Sequence, residues 1–545
     1  MKQFTIGVDF GTLSGRALLL DARSGKTVAS AVMEYPHGVM DRTLPDGTPL
    51  PAQSALQHPQ DYLDVLSTTV RRVMREGNVS PEQIAGIGLD FTSCTLIAAR
   101  KDGTPLCFEE KFASRPQAYV KLWKHHASQN EAIRMTEVAK ARGESWLAIY
   151  GGKFSPEWAF PKILETLNRD PEVYRETAQF CEAGEWLTSL LCGEEVRAAA
   201  FAGFKFCWNE RTGYPSEDYL CAVDPRLSGL VGTKLSTHVR TVEEHAGLLC
   251  AHGAELTGLL PGTPVALPML DAEAAMPALG VMAPGVMMLI LGTSGVQLVH
   301  DERMLEIPGI CGAVNSGVVP SLCTYEAGLG GLGDVFDWFV RNCVPEQYAV
   351  AARDSGRSIH AYLRGLAEKL AVGESGLIAL DWLNGNRSIL QDADLSGMIL
   401  GLHLGTRPEE IYRALIEATA FGMRRTLENY VNHGLLVHEI RASGGIAQKD
   451  PMLMQIYADV LGREIRVIDT DQAGALGSAI YAAVAGGLYS NPVEASEHLA
   501  VRKATLWTPK AENVAAYEKL YREYCRLYDY FGTGGNDVMK RLRRH

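Results

Sequence analysis

The chain has 545 residues, of which 46% are hydrophobic and 21% are charged, and its formal net charge at pH 7 is −12. A length well above the roughly 150 residues of an ordinary domain predicts two to four globular units. The acidic balance argues against nucleic acid as a partner; the one basic block, 540–545, is interpreted as a solvated helix end. The apolar run 281–291 is too short for a membrane span and contains Pro284 and Gly285.

Eleven cysteines occur without the spacing of a metal site or of a disulfide framework. A reducing compartment is the simplest setting for them, so we expect a cytoplasmic protein. The sequence begins directly with a strand pattern, which leaves no room for a signal peptide.

Strand and helix patterns alternate in the first part of the chain, which indicates stacked α and β layers. The expected features of this part are strands at 4–8, 16–20, 28–35 and 84–90, a helix at 59–75, a long loop at 36–58, mostly helical chain at 111–190 and loop-rich chain at 215–262.

The second part restarts at 288–300 with a strand, a turn and a returning strand. No low-complexity linker precedes it, so we expect broad contact between the two parts and closure by a hinge motion. The elements expected further on are helices at 333–342, 407–434, 451–461 and 473–485 and strands at 440–442 and 464–467.

Two short stretches, far apart, share nearly the same pattern. The first is 5–12 with a return at 17–21, and the second is 288–295 with a return at 296–300. In each, a buried apolar strand meets a turn of Gly with Thr or Ser, whose small residues let backbone N–H groups and hydroxyls approach an anion. Two such hairpins, about half a chain apart, predict a duplicated fold that holds a nucleotide's phosphates between its halves.

Asp9 ends the first predicted strand, in the run 9–12. A carboxylate at this point can hold Mg²⁺ through water, since Mg²⁺ keeps much of its hydration shell. The alternative is an ordinary tight turn in which Asp9 accepts a local hydrogen bond. The partner turn at 292–294 favours phosphate binding.

Gly444 and Gly445 lie between a predicted strand and a helix that begins near Pro451. A flat ring can lie against glycine backbone, although an ordinary turn between a strand and a helix is at least as common. The run 473–479 is rich in Gly and Ala, which predicts first a helix packed very closely to its neighbour and second a lining for adenosine.

The stretch 268–275 places Asp271 at the end of an apolar segment, just before the second hairpin. A kinase needs an acid beside the transferable phosphate as the base for the acceptor hydroxyl. The alternative is that Asp271 is a helix N-cap. Glu273 is a second candidate for the reactive acid, and the residues alone do not rank the two.

Three clusters combine aromatic side chains with Lys, His or hydroxyl groups: 90–95, 121–126 and 203–208. Sugars bind through C–H faces on aromatic rings and through hydrogen bonds, so these clusters are candidate sugar linings. Each is equally compatible with a surface helix or with the edge of a core. His125 and His126 lack a set of partner ligands, so no metal site is expected there.

Four motifs occur in the order seen in the FGGY carbohydrate kinases, which they resemble: 9–12, 292–294, 443–445 and 473–477. The resemblance covers nearly the whole chain. It implies an α/β architecture of two actin-like, hexokinase-like (ribonuclease H-like) ATPase domains that face a central cleft. The implied domains are 1–265, with the sugar site and the first phosphate hairpin, and 266–545, with the ATP site.

Longer stretches resemble one branch of that family, whose members phosphorylate L-ribulose: 90–95, 120–126, 150–158, 325–328, 333–339 and 381–387. This branch implies transfer of a phosphoryl group from ATP to the terminal hydroxyl of L-ribulose, giving L-ribulose 5-phosphate in L-arabinose catabolism, with ATP and Mg²⁺ as cofactors. Two positions depart from the branch. Glu273 stands where His is usual, and its negative charge is expected to raise the pKa of Asp271; Gly295 stands where Thr is usual.

The resemblance also implies a role for each matching residue. These roles are Asp271 as the general base in contact with the sugar, Ser93, Trp123, Lys205 and Glu326 at the sugar, Asp9 at the metal, Thr12, Gly292, Thr293 and Ser294 at the phosphates, and Gly444 and Gly445 on the adenosine side.

Other functions stay open at this point. Another FGGY kinase would phosphorylate a different ketopentose or polyol, such as D-ribulose or xylulose. An actin-like ATPase switch fits the hairpins but not the clusters that carry Trp and Lys, and a sugar sensor without catalysis is compatible with Glu273. The expected partners are a sugar and ATP, with no nucleic acid and no membrane; a homodimer is compatible, although the sequence does not determine the oligomeric state.

Overall fold

Two seven-stranded sheets form the framework of this computed structural model, which describes residues 2–543. The strands in chain order are β1 (Phe4–Phe10), β2 (Ser14–Asp21), β3 (Lys26–Glu34), β4 (Leu56–Gln57), β5 (Ile84–Phe91), β6 (Leu96–Ala99), β7 (Val120–Lys121), β8 (Gln179–Glu182), β9 (Gly247–Leu248), β10 (Pro264–Val265), β11 (Met269–Leu270), β12 (Val286–Leu291), β13 (Gly295–Asp301), β14 (Gly312–Asn315), β15 (Cys323–Leu329), β16 (Ile378–Leu380), β17 (Met398–Leu400), β18 (Glu439–Ser443), β19 (Ile465–Ile468) and β20 (Ala504–Trp507).

Helices cover the sheets and fill the segments between them. In chain order they are α1 (Pro59–Glu76), α2 (Gln129–Arg142), α3 (Ala159–Arg169), α4 (Pro171–Glu176), α5 (Ala183–Cys192), α6 (Ala199–Lys205), α7 (Glu217–Val223), α8 (Leu230–Thr233), α9 (Ala251–Thr257), α10 (Asp271–Ala278), α11 (Gly333–Cys343), α12 (Glu346–Asp354), α13 (Ile359–Ala367), α14 (Pro408–Asn432), α15 (Gly445–Lys449), α16 (Pro451–Leu461), α17 (Ala473–Ala485), α18 (Pro492–Leu499), α19 (Ala511–Gly532) and α20 (Val538–Arg543). Arg544 and His545 of the basic C-terminal run lie outside the described residues.

The two large sheets repeat one arrangement. In the first, the order is β3-β2-β1-β5-β10-β9, with β11 also paired to β5; in the second it is β14-β15-β13-β12-β18-β19-β20. An antiparallel hairpin, β1 with β2 or β12 with β13, lies beside a parallel strand, β5 or β18. The predicted α/β architecture with two related halves is therefore confirmed.

The central strands of both sheets are buried, so they appear in the sequence as continuous apolar runs. All eight residues of β5 are buried, and β12 is buried in all but one position, as expected for strands covered on both faces. Helix α1 begins where predicted, because the His58 side chain accepts a hydrogen bond from the Gln60 N–H and Pro59 occupies the first turn. The predicted helix at 473–485 is α17, with the same bounds.

Helix α17 belongs to the second half of the chain but packs on β1 and β5 of the first sheet. The approach is so close that a Cβ at Gly7 would lie 1.9 Å from the Ala475 carbonyl oxygen, and one at Gly88 would lie 2.3 Å from that of Ser478. Thr5 Oγ1 donates to the carbonyl of Ala479 at 2.9 Å. The predicted close packing of the Gly/Ala-rich helix is thus confirmed, and it joins the two halves.

The division at 265 and 266 stays a prediction. It falls between β10 and β11, and both of these strands pair with β5 of the first sheet. Across residues 2–543, none of the helices has the length and apolar character required to cross a membrane.

Candidate active site

A cavity of about 1270 Å³ opens between the two sheets. Its lining comes from both halves of the chain and includes the turns that follow β1 and β12. It contains every site residue predicted from the sequence: Asp9, Thr12, Ser93, Trp123, Lys205, Asp271, Gly292, Thr293, Ser294, Glu326, Gly444 and Gly445.

Asp9 lies at the end of β1, beside a second carboxyl. Asp90 is its partner in the parallel register of β1 and β5, and both side chains lie against Gly474. Burial raises the pKa of Asp90 well above its usual range, and the charge of Asp9 adds to this shift. Burial also raises the pKa of Asp9, although Arg16, with its Nε 3.5 Å away, opposes the shift. The predicted sugar lining at 90–95 is wrong for Asp90, which is fully buried, accepts a hydrogen bond from Ser478 and is not among the lining residues of the cavity.

The first phosphate hairpin contacts the predicted sugar wall directly. The indole Nε1 of Trp123 donates to Thr12 Oγ1 at 3.1 Å, and the Gln57 amide donates to the Thr12 carbonyl at 2.8 Å. The hydrogen bond from Trp123 therefore fixes the position of the indole relative to the first phosphate hairpin.

The second phosphate hairpin is held by the start of α11. The N–H groups of Leu332 and Gly333 donate to the carbonyls of Thr293 and Gly292 at 2.8 and 3.0 Å, and Gly292 donates to the Ser294 carbonyl at 3.1 Å. These bonds occupy the carbonyl groups of the turn and fix its conformation. Such a turn suits an anion, because its backbone is already organised.

Gly444 and Gly445 differ in what their positions tolerate. Gly444 has a φ of +105°, and a Cβ there would lie 2.4 Å from the Leu291 carbonyl oxygen, so only glycine fits without strain. A Cβ at Gly445 would meet nothing within 4 Å. The second glycine therefore presents bare backbone to open space in the cavity, as a stacked ring requires.

Asp271 is the first residue of α10, whose N-cap is Leu270, so the N-cap alternative is wrong. Its Oδ1 accepts the Ala272 N–H at 2.9 Å. Burial, followed by the charge of Asp9, raises the pKa of Asp271 to about 7. A carboxylate with a pKa near the working pH is well matched to general-base catalysis.

Three further ionisable side chains line the cavity and interact with one another: Lys205, Glu273 and Glu326. Lys205, the last residue of α6, and Glu326, in β15, form an ion pair of 2.7 Å between the two halves of the chain. Glu273 is buried, and burial followed by the charge of Glu326 raises its pKa to about 8. The charge of Asp271 adds to that shift. The expected effect of Glu273 on Asp271 is not among the main causes, which are burial and Asp9.

Lys153, Glu157 and Arg387 also line the cavity; the sequence patterns predict no role for them, although each lies in a stretch that carries the resemblance. Glu157 bonds to His126 at 3.2 Å and to Arg387 at 3.3 Å, and Lys153 Nζ donates to the Leu390 carbonyl at 3.0 Å. Despite burial, Arg387 and His126 lower the pKa of Glu157 to about 2. Glu157 and Arg387 are 230 residues apart and Lys153 and Leu390 are 237 apart, so local sequence patterns do not reveal these two contacts.

The cluster 121–126 was only partly assigned correctly. Trp123 and His126 line the cavity, whereas Lys121 and His125 are buried and bond to Glu165 at 3.1 and 2.8 Å. Trp123 and His126 therefore face the cavity, whereas Lys121 and His125 form a buried polar cluster with Glu165. Within residues 2–543 there is no group of three or more His, Cys, Asp or Glu placed to hold a metal.

Comparison with solved structures agrees with the fold. A gluconate kinase from Lactobacillus acidophilus matches with a TM-score of 0.79, at 19% identity over 97% of this chain and 98% of that one. A xylulose kinase from Rhodospirillum rubrum matches with a TM-score of 0.78, at 22% identity over 96% and 98%. At these identities the likeness concerns the fold alone.

Sequence comparison is more specific. The N-terminal domain model of the FGGY family of carbohydrate kinases matches residues 4–277, and the C-terminal domain model matches residues 287–486. The ribulokinase of Bacillus licheniformis is 46% identical over 98% of this chain and 97% of its own length, and that of Mycolicibacterium smegmatis is 43% identical over 99% and 96%. With both domain models matched, and with relatives alike from end to end, the chain belongs to the FGGY family of carbohydrate kinases and is an ATP-dependent sugar kinase.

Proposed function

We propose that the protein transfers the γ-phosphoryl group of ATP to the terminal hydroxyl of L-ribulose, giving L-ribulose 5-phosphate in L-arabinose catabolism, with Asp271 as the general base. The curated relatives that are 43–46% identical carry the name ribulokinase. The observation that carries the proposal is the position of Asp271 in the cavity, which it lines together with both hairpins, and where the charges of Asp9, Glu326 and Lys205 all act on it.

The chemistry follows from that position. The acceptor hydroxyl must lose its proton as it attacks the phosphorus, and Asp271, with a pKa of about 7, takes it. The Ala272 N–H holds Oδ1 of this carboxyl at 2.9 Å, which helps to orient the side chain. Catalysis otherwise comes from alignment, since phosphoryl transfer requires positioning and charge stabilisation more than covalent chemistry.

The sugar site combines three kinds of contact. Trp123 supplies an aromatic face, and Ser93 supplies a hydroxyl. Lys205 and Glu326 supply a donor and an acceptor whose mutual bond of 2.7 Å fixes their positions. These side chains match a sugar, whose hydroxyl groups donate and accept hydrogen bonds at successive carbons. An apolar ligand would leave the polar side chains without hydrogen-bond partners.

Mg²⁺ is proposed as the companion of ATP, with Asp9 as its protein ligand. Asp9 reaches the cavity, while the Asp90 carboxyl beside it has its Oδ1 buried without a hydrogen-bond partner in the described part of the chain. Two adjacent carboxyls suit a hydrated Mg²⁺, which uses one or two carboxylates together with substrate phosphates. The ion would neutralise charge on the phosphates.

A panel of acceptors tests the proposal. Release of ADP is measured with L-ribulose, D-ribulose, xylulose, a polyol such as ribitol, and no sugar, and the phosphorylated carbon of the product is assigned by NMR. The highest kcat/KM is expected with L-ribulose, with phosphate on C5. A higher value with another acceptor would reassign the substrate, and ADP release indifferent to sugar would refute the kinase assignment.

The expected location and oligomeric state of the protein are tested separately. A cytoplasmic location is checked by fractionation of the producing cell, and a homodimer by light scattering of the full chain after size exclusion.

A further inference from the structure

Glu273 is a buried carboxyl that the proposed mechanism leaves unused. Glu273 is the third residue of α10, two positions after Asp271. It is only 2% exposed, yet it lines the cavity. Its Oε1 has no hydrogen-bond partner in residues 2–543. An unpaired buried carboxyl oxygen carries a large desolvation cost, and a ligand bound in the cavity that it lines would complete its hydrogen bonding.

The titratable groups that interact with Glu273 come from four elements. Glu326 of β15 and Asp271 of α10 are acidic, Lys205 of α6 is basic, and Tyr481 of α17 has its hydroxyl committed to the Val318 carbonyl at 2.9 Å. Burial is the largest influence, and the pKa of Glu273 rises to about 8 because Lys205 offsets only part of the effect. At pH 7 the group therefore carries a proton and can donate it in a hydrogen bond.

From this geometry we infer that Glu273 is a substrate-contacting, specificity-determining residue which, in its protonated form, donates a hydrogen bond to an oxygen of the acceptor sugar. The inference rests on the proposed function and adds a residue to its sugar site.

A protonated carboxyl is suited to an acceptor sugar for a chemical reason. The carbonyl oxygen of a ketose accepts hydrogen bonds but cannot donate, so an ionised carboxylate would repel it, whereas a carboxylic acid binds it. Sugar hydroxyls both donate and accept, and they tolerate either form. Ionisation of Glu273 is therefore expected to weaken the binding of a ketose, and no proton is transferred to product in this role.

The test measures KM for L-ribulose, KM for ATP and kcat between pH 6.5 and 9 for the full-length enzyme. The wild type is compared with Glu273→Gln, which keeps a neutral donor, and with Glu273→Ala, which removes it. Asp381→Asn is the matched control, because Asp381 is a buried carboxyl in the second half whose pKa burial raises to about 6 and which bonds to Tyr524.

The sign of the expected pH effect follows from the raised pKa. With a pKa of about 8, the protonated fraction falls from about nine tenths at pH 7 to about one tenth at pH 9, so the wild-type KM for L-ribulose should rise about tenfold. Glu273→Gln should have a KM within about threefold of wild type at pH 7 and a flat profile. Glu273→Ala should raise KM about five- to tenfold at pH 7, as expected for one lost hydrogen bond.

Other results have distinct meanings. KM for ATP should stay constant in all variants, and the Asp381→Asn profile should follow the wild type. A Glu273→Ala variant with wild-type KM for the sugar would overturn the contact, and a wild-type KM that is flat or falls with rising pH would overturn the donor role. If the wild type phosphorylates no sugar of the ketopentose panel, the proposed function fails and the inference fails with it, whereas active wild type with unaffected variants removes the inference alone.

Discussion

Replacement of Asp271 by Asn tests the assignment of the base most directly. Asn keeps the size of the side chain and an acceptor oxygen for the Ala272 N–H, which lies 2.9 Å from Oδ1 in the wild type. It removes the site that takes the proton of the acceptor hydroxyl. A positioned general base contributes about 10²- to 10⁴-fold to a rate, so kcat should fall by that factor, equivalent to about 3–5 kcal/mol on the barrier.

The wild-type pH profile gives a second measure of the same group. Burial and the charge of Asp9 raise the pKa of Asp271 to about 7, so its ionised, basic fraction is about one tenth at pH 6 and about nine tenths at pH 8. The kcat of the wild type should therefore rise about tenfold over this interval. The Asp271→Asn variant, which has no titrating group at this position, should lack that rise.

The assay is release of ADP, coupled to oxidation of NADH, at saturating L-ribulose and ATP. Binding of ATP to the variant is measured by calorimetry, and its Kd should stay within about threefold of wild type because Asp271 is not assigned to the nucleotide. An Asp271→Asn enzyme with kcat within fivefold of wild type, or with an unchanged pH profile, would refute the role of Asp271 as base.

Three further predictions concern stability and nucleotide binding. Lys205→Met should destabilise the protein by about 3 kcal/mol in urea unfolding, because it leaves the largely buried Glu326 carboxyl without its partner, and Glu326→Gln in the same chain should restore most of the loss; equal stability of the single and double variants would contradict this. Gly444→Ala should lower the free energy of unfolding by about 2 kcal/mol or more, because a Cβ would lie 2.4 Å from a carbonyl oxygen at a φ of +105°, whereas Gly445→Ala should fold normally and affect only the KM for ATP; similar stabilities of the two variants would refute the distinction. Because the folded-state pKa of Glu273 is raised from 4.5 to about 8, its contribution to stability is complete below pH 4.5 and is lost as the pH rises to about 8, at up to about 1.4 kcal/mol per pH unit; Glu273→Gln should therefore have a higher Tm than wild type at pH 8 and a smaller advantage at pH 5, and a gap that grows towards low pH would refute this.

Local patterns predicted the elements and their chemistry well. The hairpins of β1–β2 and β12–β13, the long helices α1 and α14, and the Gly/Ala-rich α17 each follow from a short stretch in which periodicity, small residues or a helix start is visible. Such features are set by neighbours in sequence. The sequence pattern does not distinguish Gly444 from Gly445. The structure does, because the positive φ and the nearby Leu291 carbonyl require glycine at 444, whereas position 445 has room for a Cβ.

Periodicity and short motifs predict the α/β class, the doubled strand–turn–strand pattern and the acidic and glycine residues available for kinase chemistry. Only folding brings Asp9 next to Asp90, Lys205 next to Glu326 and Glu157 next to Arg387. The members of these pairs lie 81, 121 and 230 positions apart along the chain, so no local spacing encodes the contacts. The pKa values of the buried acids depend on the same folding, because desolvation and neighbouring charges exist only once the sheets and helices have closed around the cavity.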